Sequence, residues 1–363
     1  MSDKFAFLIH PRNAVAADMG KLFGAPLGWI PDSTYAWAMK TLPVPPLITG
    51  NVRFEGHAAQ GTLITVPLSA PLLLGLPRRA VQAKVHAAVD RARDLGASIV
   101  GLGGLTAPVT SGGKSLAART DIGVTNGNAF TAAMTYLGIE RLLPQLPAHP
   151  VIALVGASGS VGSCVTHLLA RRDVGELLLI ARHEGRLEDL RAALPAHSRA
   201  TVSTQMDDVR KADLVVLLTS SSEALLGSQH LKAGAIVLDD TQPRNTDPAL
   251  LTERPDVMII DGGLVEIPGM SLRGTIGLPR GLAYACFAET MLLSLSGHTG
   301  HFSLGLPSVP QAEMMLALAH QYAELGFHLA PFHSFGKPLA ALTPAEAAQS
   351  TVQPVGEAAL GAL

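Results

Sequence analysis

Cysteine is nearly absent: Cys164 and Cys286 are the two in 363 residues. Two thiols at unrelated positions cannot make a disulfide framework, so a reducing, cytoplasmic setting is the simpler expectation. No Cys/His spacing of the zinc type is present, and no metal site is expected. An excess of one charge is also missing: 27 Lys and Arg against 29 Asp and Glu leave a net charge of −2. That excludes the broad basic surface that nucleic acid or an anionic membrane would call for. Long apolar runs are lacking too. Leu68 to Leu76 is apolar, but Pro67, Pro71 and Pro77 interrupt it, and it is too short to span a bilayer. The opening Met1–Pro11 segment has too brief an apolar run for a secretory signal and no small-residue cleavage pattern. No internal repeat is visible. Apolar residues, by contrast, make up 48% of the chain. That fraction can fill sizeable cores, at a length that suggests two or three domains.

The most informative stretch is Val151 to Gly162, VIALVGASGSVG. Val151 to Val155 is long enough for one buried strand and too short for a buried helix. It runs into Gly156, Ala157, Ser158, Gly159, Ser160, Val161 and Gly162, and then into a helical segment through Ala170. Strand, glycine turn and helix in this order open a dinucleotide fold. Glycines let the backbone approach a pyrophosphate, and the helix start offers free N–H groups and a positive dipole end. A second strand, Glu176 to Ile180, leads to Arg182. NAD-binding folds place an acid there for the ribose 2′-hydroxyl; an arginine suits a 2′-phosphate and therefore NADPH.

The rest of the chain alternates. Phe5–Ile9, Asn51–Val66 (one or two strands) and Ser98–Leu102 read as strands, and Ala14–Phe23, Arg78–Leu95 and Ala129–Leu143 as helices. The segment from Gly24 to Pro46, with Trp29 and Trp37, reads as irregular. Pro144, Pro147 and Pro150 mark a boundary near Ala148. Beyond Arg182 a helix (Gly185–Leu194) and strands at Ala200–Thr204, Ala212–Leu218, Ala235–Leu238 and Val257–Ile260 continue the pattern. Arg280–Leu295 and Gln311–Leu325 read as helices. The fold class is therefore α/β: an N-terminal α/β substrate domain (1–148), a Rossmann-type dinucleotide-binding domain (149–278) and a helical C-terminal segment (279–335). Residues 336–363, alanine- and proline-rich, read as a mobile tail.

Ligands in such sheets bind beyond the carboxyl ends of the strands. Thr219 and Ser220 after one strand, and Gly262 and Gly263 after another, are thus candidates for the nicotinamide end. Turn capping accounts for the hydroxyls equally well. Cys286 reads in two ways. It is a small core residue of an apolar helix, or a nucleophile about two turns into that helix with Glu289 one turn on. Cys164 reads as core. Arg78, Arg79, Lys84, Arg91 and Arg93 form either a solvated helix face or a landing surface for an acidic partner. Leu63–Leu76 and the Trp29–Trp37 region are apolar enough to line an acyl tunnel or simply to pack.

Several segments together carry a resemblance: Phe5–His10, Gly103–Thr106, Thr125–Asn128, Val155–Gly162, Ala181-Arg182, Asp261–Glu266 and, most specifically, Ala285-Cys286-Phe287-Ala288-Glu289. Over roughly residues 5 to 330 the chain resembles the cyanobacterial long-chain acyl-[acyl-carrier-protein] reductases. The resemblance implies NADPH-dependent reduction of a fatty acyl thioester, delivered on acyl carrier protein or as acyl-CoA, to an aldehyde. It places the acyl-accepting nucleophile at Cys286. The family's histidine after this helix is replaced by Thr299, so His298 or His301 would supply any proton. The Thr125, Asn126 and Asn128 loop would meet the substrate oxyanion. Two other readings stand beside it: an alcohol- or shikimate-type dehydrogenase in which Cys286 only packs, and a non-catalytic NADP-binding sensor.

Overall fold

The structure is a computed structural model that describes residues 4–11, 15–220, 225–242 and 244–339. Its first sheet begins with β1 (Lys4–Ile9), β2 (Leu47–Phe54), β3 (Gln60–Thr65), β4 (Ile99–Leu102) and β5 (Gly123–Thr125). β3, β1, β4 and β5 run parallel, and β2 is antiparallel to β3. Alternation along β1 sends Ala6 and Leu8 to one face and Phe5 and Phe7 to the other. The first face is covered by α1 (Arg78–Asp94) through Val81, Val85, Ala88, Val89 and Ala92, a stripe at helical spacing.

After α2 (Asn128–Leu142) come β6 (Val151–Val155), α3 (Ser160–Ala170), β7 (Glu176–Ile180), β8 (Ala200–Ser203), β9 (Leu214–Leu217), β10 (Ile236–Asp239) and β11 (Met258–Asp261). These strands are parallel in the order β8-β7-β6-β9-β10-β11. The order reverses between β6 and β9, as in Rossmann-type sheets, and ligands bind at such a switch point. β9 and β10 are buried along their whole length, which explains the unbroken apolar runs Leu214–Leu217 and Ile236–Leu238.

The remaining chain ties the two sheets together. β12 (Leu264–Glu266) leads to β13 (Met270–Arg273), which lies within 149–278 yet pairs with β2 at the edge of the first sheet. β14 (Leu282–Tyr284) pairs with β12, and α4 (Ala285–Leu295) and α5 (Val309–Gln321) follow. β15 (His328–Leu329) joins β12; β16 (His333–Ser334) pairs with β11, and β17 (Lys337–Pro338) with β16. The expected mobile tail therefore begins as a short ordered strand, and residues 340–363 lie outside the described residues.

α4 is apolar on nearly all sides and is buried against both halves. It crosses the first sheet where Gly101 has no side chain; a Cβ there would meet Phe7 at 2.6 Å and also strike the Thr290 hydroxyl. Phe287 packs on Phe7 with ring centroids 4.5 Å apart. Such a pair adds roughly 0.5–1.5 kcal/mol to simple burial.

Two expectations need correction. The segment thought irregular contains a helix, Asp32–Thr41, which begins with Asp32, Ser33 and Thr34 directly after Pro31. The single helix expected over Arg280–Leu295 is a strand followed by a helix. Gly281 takes φ +78, outside helical geometry, and Leu282–Tyr284 pairs with β12 instead.

Candidate active site

The carboxyl ends of the parallel strands gather the glycine turn (β6), Arg182 (β7), Thr219 and Ser220 (β9), Asp240 (β10) and Gly262-Gly263 (β11) at one edge of the sheet. Each glycine of the turn has a local reason. Gly156 sits at φ +96, and a Cβ on it would lie 2.8 Å from the Leu218 carbonyl. A Cβ on Gly162 would lie 2.9 Å from Ala157 Cα, so the helix packs this close only without one. Gly159 is the residue before α3, whose first N–H groups lack intrahelical partners. Helix starts of this kind are where phosphates bind in dinucleotide folds, and Arg182 stands exposed two residues past β7. Thr219 follows directly on Leu218, and its hydroxyl donates to Asn245 Oδ1. Ser220 is exposed. The expected nucleotide residues thus share one edge of the sheet.

Cys286 joins that edge from the other half. It is the second residue of α4, not two turns in as the sequence suggested. The left-handed Gly127 (φ +77) precedes α2, and a Cβ on it would lie 2.5 Å from Cys286 Cα. Asn128, next in the chain, donates from Nδ2 to the Ser160 hydroxyl at 2.8 Å, and Ser160 opens α3. The N-termini of α2, α3 and α4 therefore converge around Gly127 and Asn128, with the thiol among them. The N–H groups of Cys286 and Phe287 face the sulfur and favour a thiolate. Burial outweighs them: together with the nearby Glu289 and Asp240 carboxyls it pushes the thiol up to about 12. Cys286 is only partly buried, whereas Cys164 is fully packed in the core as expected.

Two carboxyls flank the thiol and are built differently. Glu289 is fully buried; it accepts from the Thr125 hydroxyl and, at 2.7 Å, from the Phe130 N–H, so it caps the start of α2. Burial raises it to about 7 against those bonds. Asp240 accepts from the Thr135 hydroxyl through Oδ2, and Oδ1 accepts no hydrogen bond from a described residue. The Gly262-Gly263 turn wraps it: a Cβ on Gly262 would sit 3.0 Å from Asp240 Cβ, and one on Gly263 would strike Oδ1. Burial, followed by the neighbouring Asp239, raises Asp240 to about 7. The Gly263 carbonyl accepts from the Ala285 N–H at 2.8 Å, which fastens this turn to the residue before Cys286. Sequence reasoning passed over Asp240; its place just beyond the end of β10 was the available signal.

Other expected residues are not brought to the thiol. His298 and His301 lie past the far end of α4, whose length from Cys286 to Leu295 is about 14 Å. His301 accepts from the Val124 N–H at Nδ1 (3.1 Å), and its Nε2 faces the Ala117 carbonyl (3.2 Å), so both nitrogens serve the fold. His298 packs edge-on against Phe302. Asn126 donates to the Gly112 and Gly305 carbonyls and accepts from Asn128 N–H and Ser303 Oγ. Thr125 is held by Glu289, and Asn128 Nδ2 gives one of its two N–H groups to Ser160. Among the basic residues of α1, Arg93 pairs with Asp94 and Asp121, and Lys84 donates to the Val44 carbonyl. Trp29 and Trp37 are 81% and 59% exposed and Leu74 is exposed as well, whereas Leu63, Ile64, Leu68 and Leu73 are core. A cavity of about 330 Å³ opens beside Lys4, Arg53 and Arg273 and shares no residue with this site. Among the described residues, no group of three or more His, Cys, Asp or Glu could hold a metal ion, and no helix is long and apolar enough to cross a membrane.

Comparison with known proteins agrees with the nucleotide-binding half. The shikimate / quinate 5-dehydrogenase family model matches residues 141–261. The chain is 28% identical over 294 residues to aminotransferase PigE of Serratia sp., covering 78% of this chain and 34% of that protein. It is 29% identical over 213 residues to the long-chain acyl-[acyl-carrier-protein] reductase of Synechococcus elongatus, covering 56% of this chain and 61% of that protein. The chain thus spans about a third of one curated relative and three fifths of the other. Among solved structures, the iminosuccinate reductase of Paracoccus denitrificans in complex with NAD+ is 25% identical over 32% of this chain and 36% of that one, with a TM-score of 0.26.

Proposed function

We propose that this chain is an NADPH-dependent oxidoreductase that reduces a fatty acyl thioester to an aldehyde, with the acyl group carried on Cys286. The observation that carries the reading is the meeting of the thiol with the glycine-turn helix through Gly127, Asn128 and Ser160. Similarity to the Synechococcus reductase supports it. The residues present fit the cofactor: the Gly156–Gly162 turn closes too tightly for any side chain at its first and last glycines, and Arg182 stands free at the end of β7. The first N–H groups of α3 would hold the pyrophosphate, Arg182 the 2′-phosphate, and Thr219 and Ser220 would lie toward the nicotinamide. When bound, NADPH supplies the hydride.

The protein's own part is acyl transfer. Cys286 sulfur attacks the thioester carbonyl, the carrier thiol leaves, and the acyl group stays on the enzyme. The N–H groups at the start of α4 are placed to receive the oxyanion. Water would hydrolyse the acyl-enzyme and has to be kept from it while the acyl group is held. Acyl carrier protein and CoA are the proposed carriers. A second reading, favoured by the family match over residues 141–261, is hydride transfer to a ketone or aldehyde with no covalent step.

The test is an intact mass of the protein after incubation with palmitoyl-CoA and with palmitoyl-ACP in the absence of NADPH. One acyl group mapped to Cys286, discharged by NADPH and absent from Cys286→Ala, is the expected result. No adduct from either donor, with NADPH turnover surviving in Cys286→Ala, would replace this reading with the second. Arg182→Ala should weaken NADPH binding and leave NADH binding unchanged.

A further inference from the structure

Cys286 is buried enough to hold its proton, so acyl transfer needs a base beside it. Its surroundings offer few candidates. Glu289, on α4 itself, has one oxygen committed to Thr125 of β5 and the other to Phe130 of α2, and is fully buried. His298 and His301 stand at the other end of the helix. Asp239, beside Asp240, spends its carboxylate on Thr241, Asn245 and Thr246. Asp261 is held by Arg244 in a two-pronged pair. Asp240 differs from all of these. Thr135 of α2 fixes one of its oxygens, the other has no hydrogen-bond partner among the described residues, and the glycine turn around it is bonded to the residue before Cys286.

We propose that Asp240 is the general base and acid of acyl transfer to Cys286, an assignment that rests on the acyl-thioester reading. Its carboxylate takes the thiol proton, directly or through one water, as the sulfur–carbon bond forms. The carbon–sulfur bond to the carrier then breaks, and the same proton passes to the departing carrier sulfur. Asp240 returns to a carboxylate, the acyl group remains on Cys286, and no oxidant or reductant is consumed in this half. The Gly262-Gly263 turn then serves to let a carboxyl group sit where any side chain would displace it. Burial holds Asp240 near 7, which suits a group that must both take and give a proton at neutral pH.

The experiment compares wild type, Asp240→Asn and Thr135→Val in two reactions, with NADPH affinity and thermal midpoint as checks on folding. One reaction is acylation by palmitoyl-CoA without NADPH, followed by intact mass. The other is reaction of Cys286 with a small disulfide reagent, which needs no acyl site. Asp240→Asn should slow both by roughly 10²-fold or more at pH 7, with the deficit shrinking as pH rises and the thiolate forms unaided. Thr135→Val, which frees the carboxyl to turn, should slow both by less. A carboxylate that merely sits nearby disfavours the thiolate, so its removal would speed both reactions. Unchanged or faster reaction in Asp240→Asn overturns the proposal. If wild type takes no acyl group yet Asp240→Asn still slows the disulfide reaction, the acyl-thioester reading falls and the base survives. If Cys286 acylates equally in both proteins, the reverse holds.

Discussion

Substituting Gly127 by alanine tests whether the thiol is packed against the start of α2. Two costs apply. The first is conformational: an L-residue at φ +77 is strained by roughly 1–2 kcal/mol. The second is steric, because the new Cβ would sit 2.5 Å from Cys286 Cα and 2.8 Å from its carbonyl oxygen. Both atoms belong to backbone at a helix start and cannot swing aside. Overpacking of this kind costs typically 1–3 kcal/mol, so the total is about 2–5 kcal/mol. Gly56 provides the control. It has a similar φ of +72, and a Cβ on it meets nothing within 4 Å, so Gly56→Ala carries the first cost alone. At about 2 °C per kcal/mol for a chain of this size, Gly56→Ala should lower the midpoint by about 2–4 °C. Gly127→Ala should lower it by about 4–10 °C. Circular dichroism melts would read both. Displacing α4 should also open Cys286 to a thiol reagent in Gly127→Ala and leave it unchanged in Gly56→Ala. Equal midpoints for the two variants, with unchanged thiol reactivity, would refute the packing described here.

Two further outcomes follow from burial and charge. Glu289 and Asp240 both sit near 7 in the fold, above their ordinary 4.5 and 3.8. The unfolded chain therefore gives up these protons first, and the contribution of these two carboxyls to the urea midpoint should fall as pH rises from about 4.5 to about 7, against the opposite contribution of His86 and His167, which burial lowers. Asp121 and Asp256, held well below the usual range by Arg119 and Arg254, act only below that window. Glu289→Gln should flatten the slope while lowering stability overall, since an amide keeps one of the two acceptors; an undiminished slope would count against Glu289. Trp29 and Trp37, the two tryptophans of the chain, are exposed, so acrylamide should quench their emission nearly as well as that of a free peptide. Strong protection would mean that this region is covered.

What could be read from the sequence was local. Val151 to Ile180 holds its strand, turn, helix and second strand in one continuous stretch, and each is visible from its own neighbours. The same is true of Arg78–Asp94, whose apolar stripe needs no partner to be seen. The start of α4 was misplaced for the opposite reason. Leu282–Tyr284 is apolar enough to continue a helix, and only its pairing with Leu264–Glu266 makes it a strand. Gly281 inside the supposed helix was the one local objection. β13 is likewise invisible until β2 is beside it.

The site shows where such legibility ends. Gly127, Gly162 and Gly263 each look like ordinary turn punctuation in one dimension. In the fold each marks a place where other atoms come too close for a side chain: Cys286 at the first, Ala157 at the second, Asp240 at the third. A sequence can announce that a position must be empty; it cannot say what fills the space. Cys286 has the same ambiguity turned around. Taken alone it is a small apolar residue in a greasy helix, and its pKa in the fold still reads that way. What distinguishes it from Cys164 is position: the second residue of a helix whose start meets two other helix starts and faces a carboxyl group with one oxygen to spare. A packing cysteine has no need of that arrangement, and replacing it with alanine should cost little beyond a small cavity. If Cys286→Ala is stable, binds NADPH and yet cannot be acylated, the convergence of helix ends serves the chemistry of the thiol and not its packing.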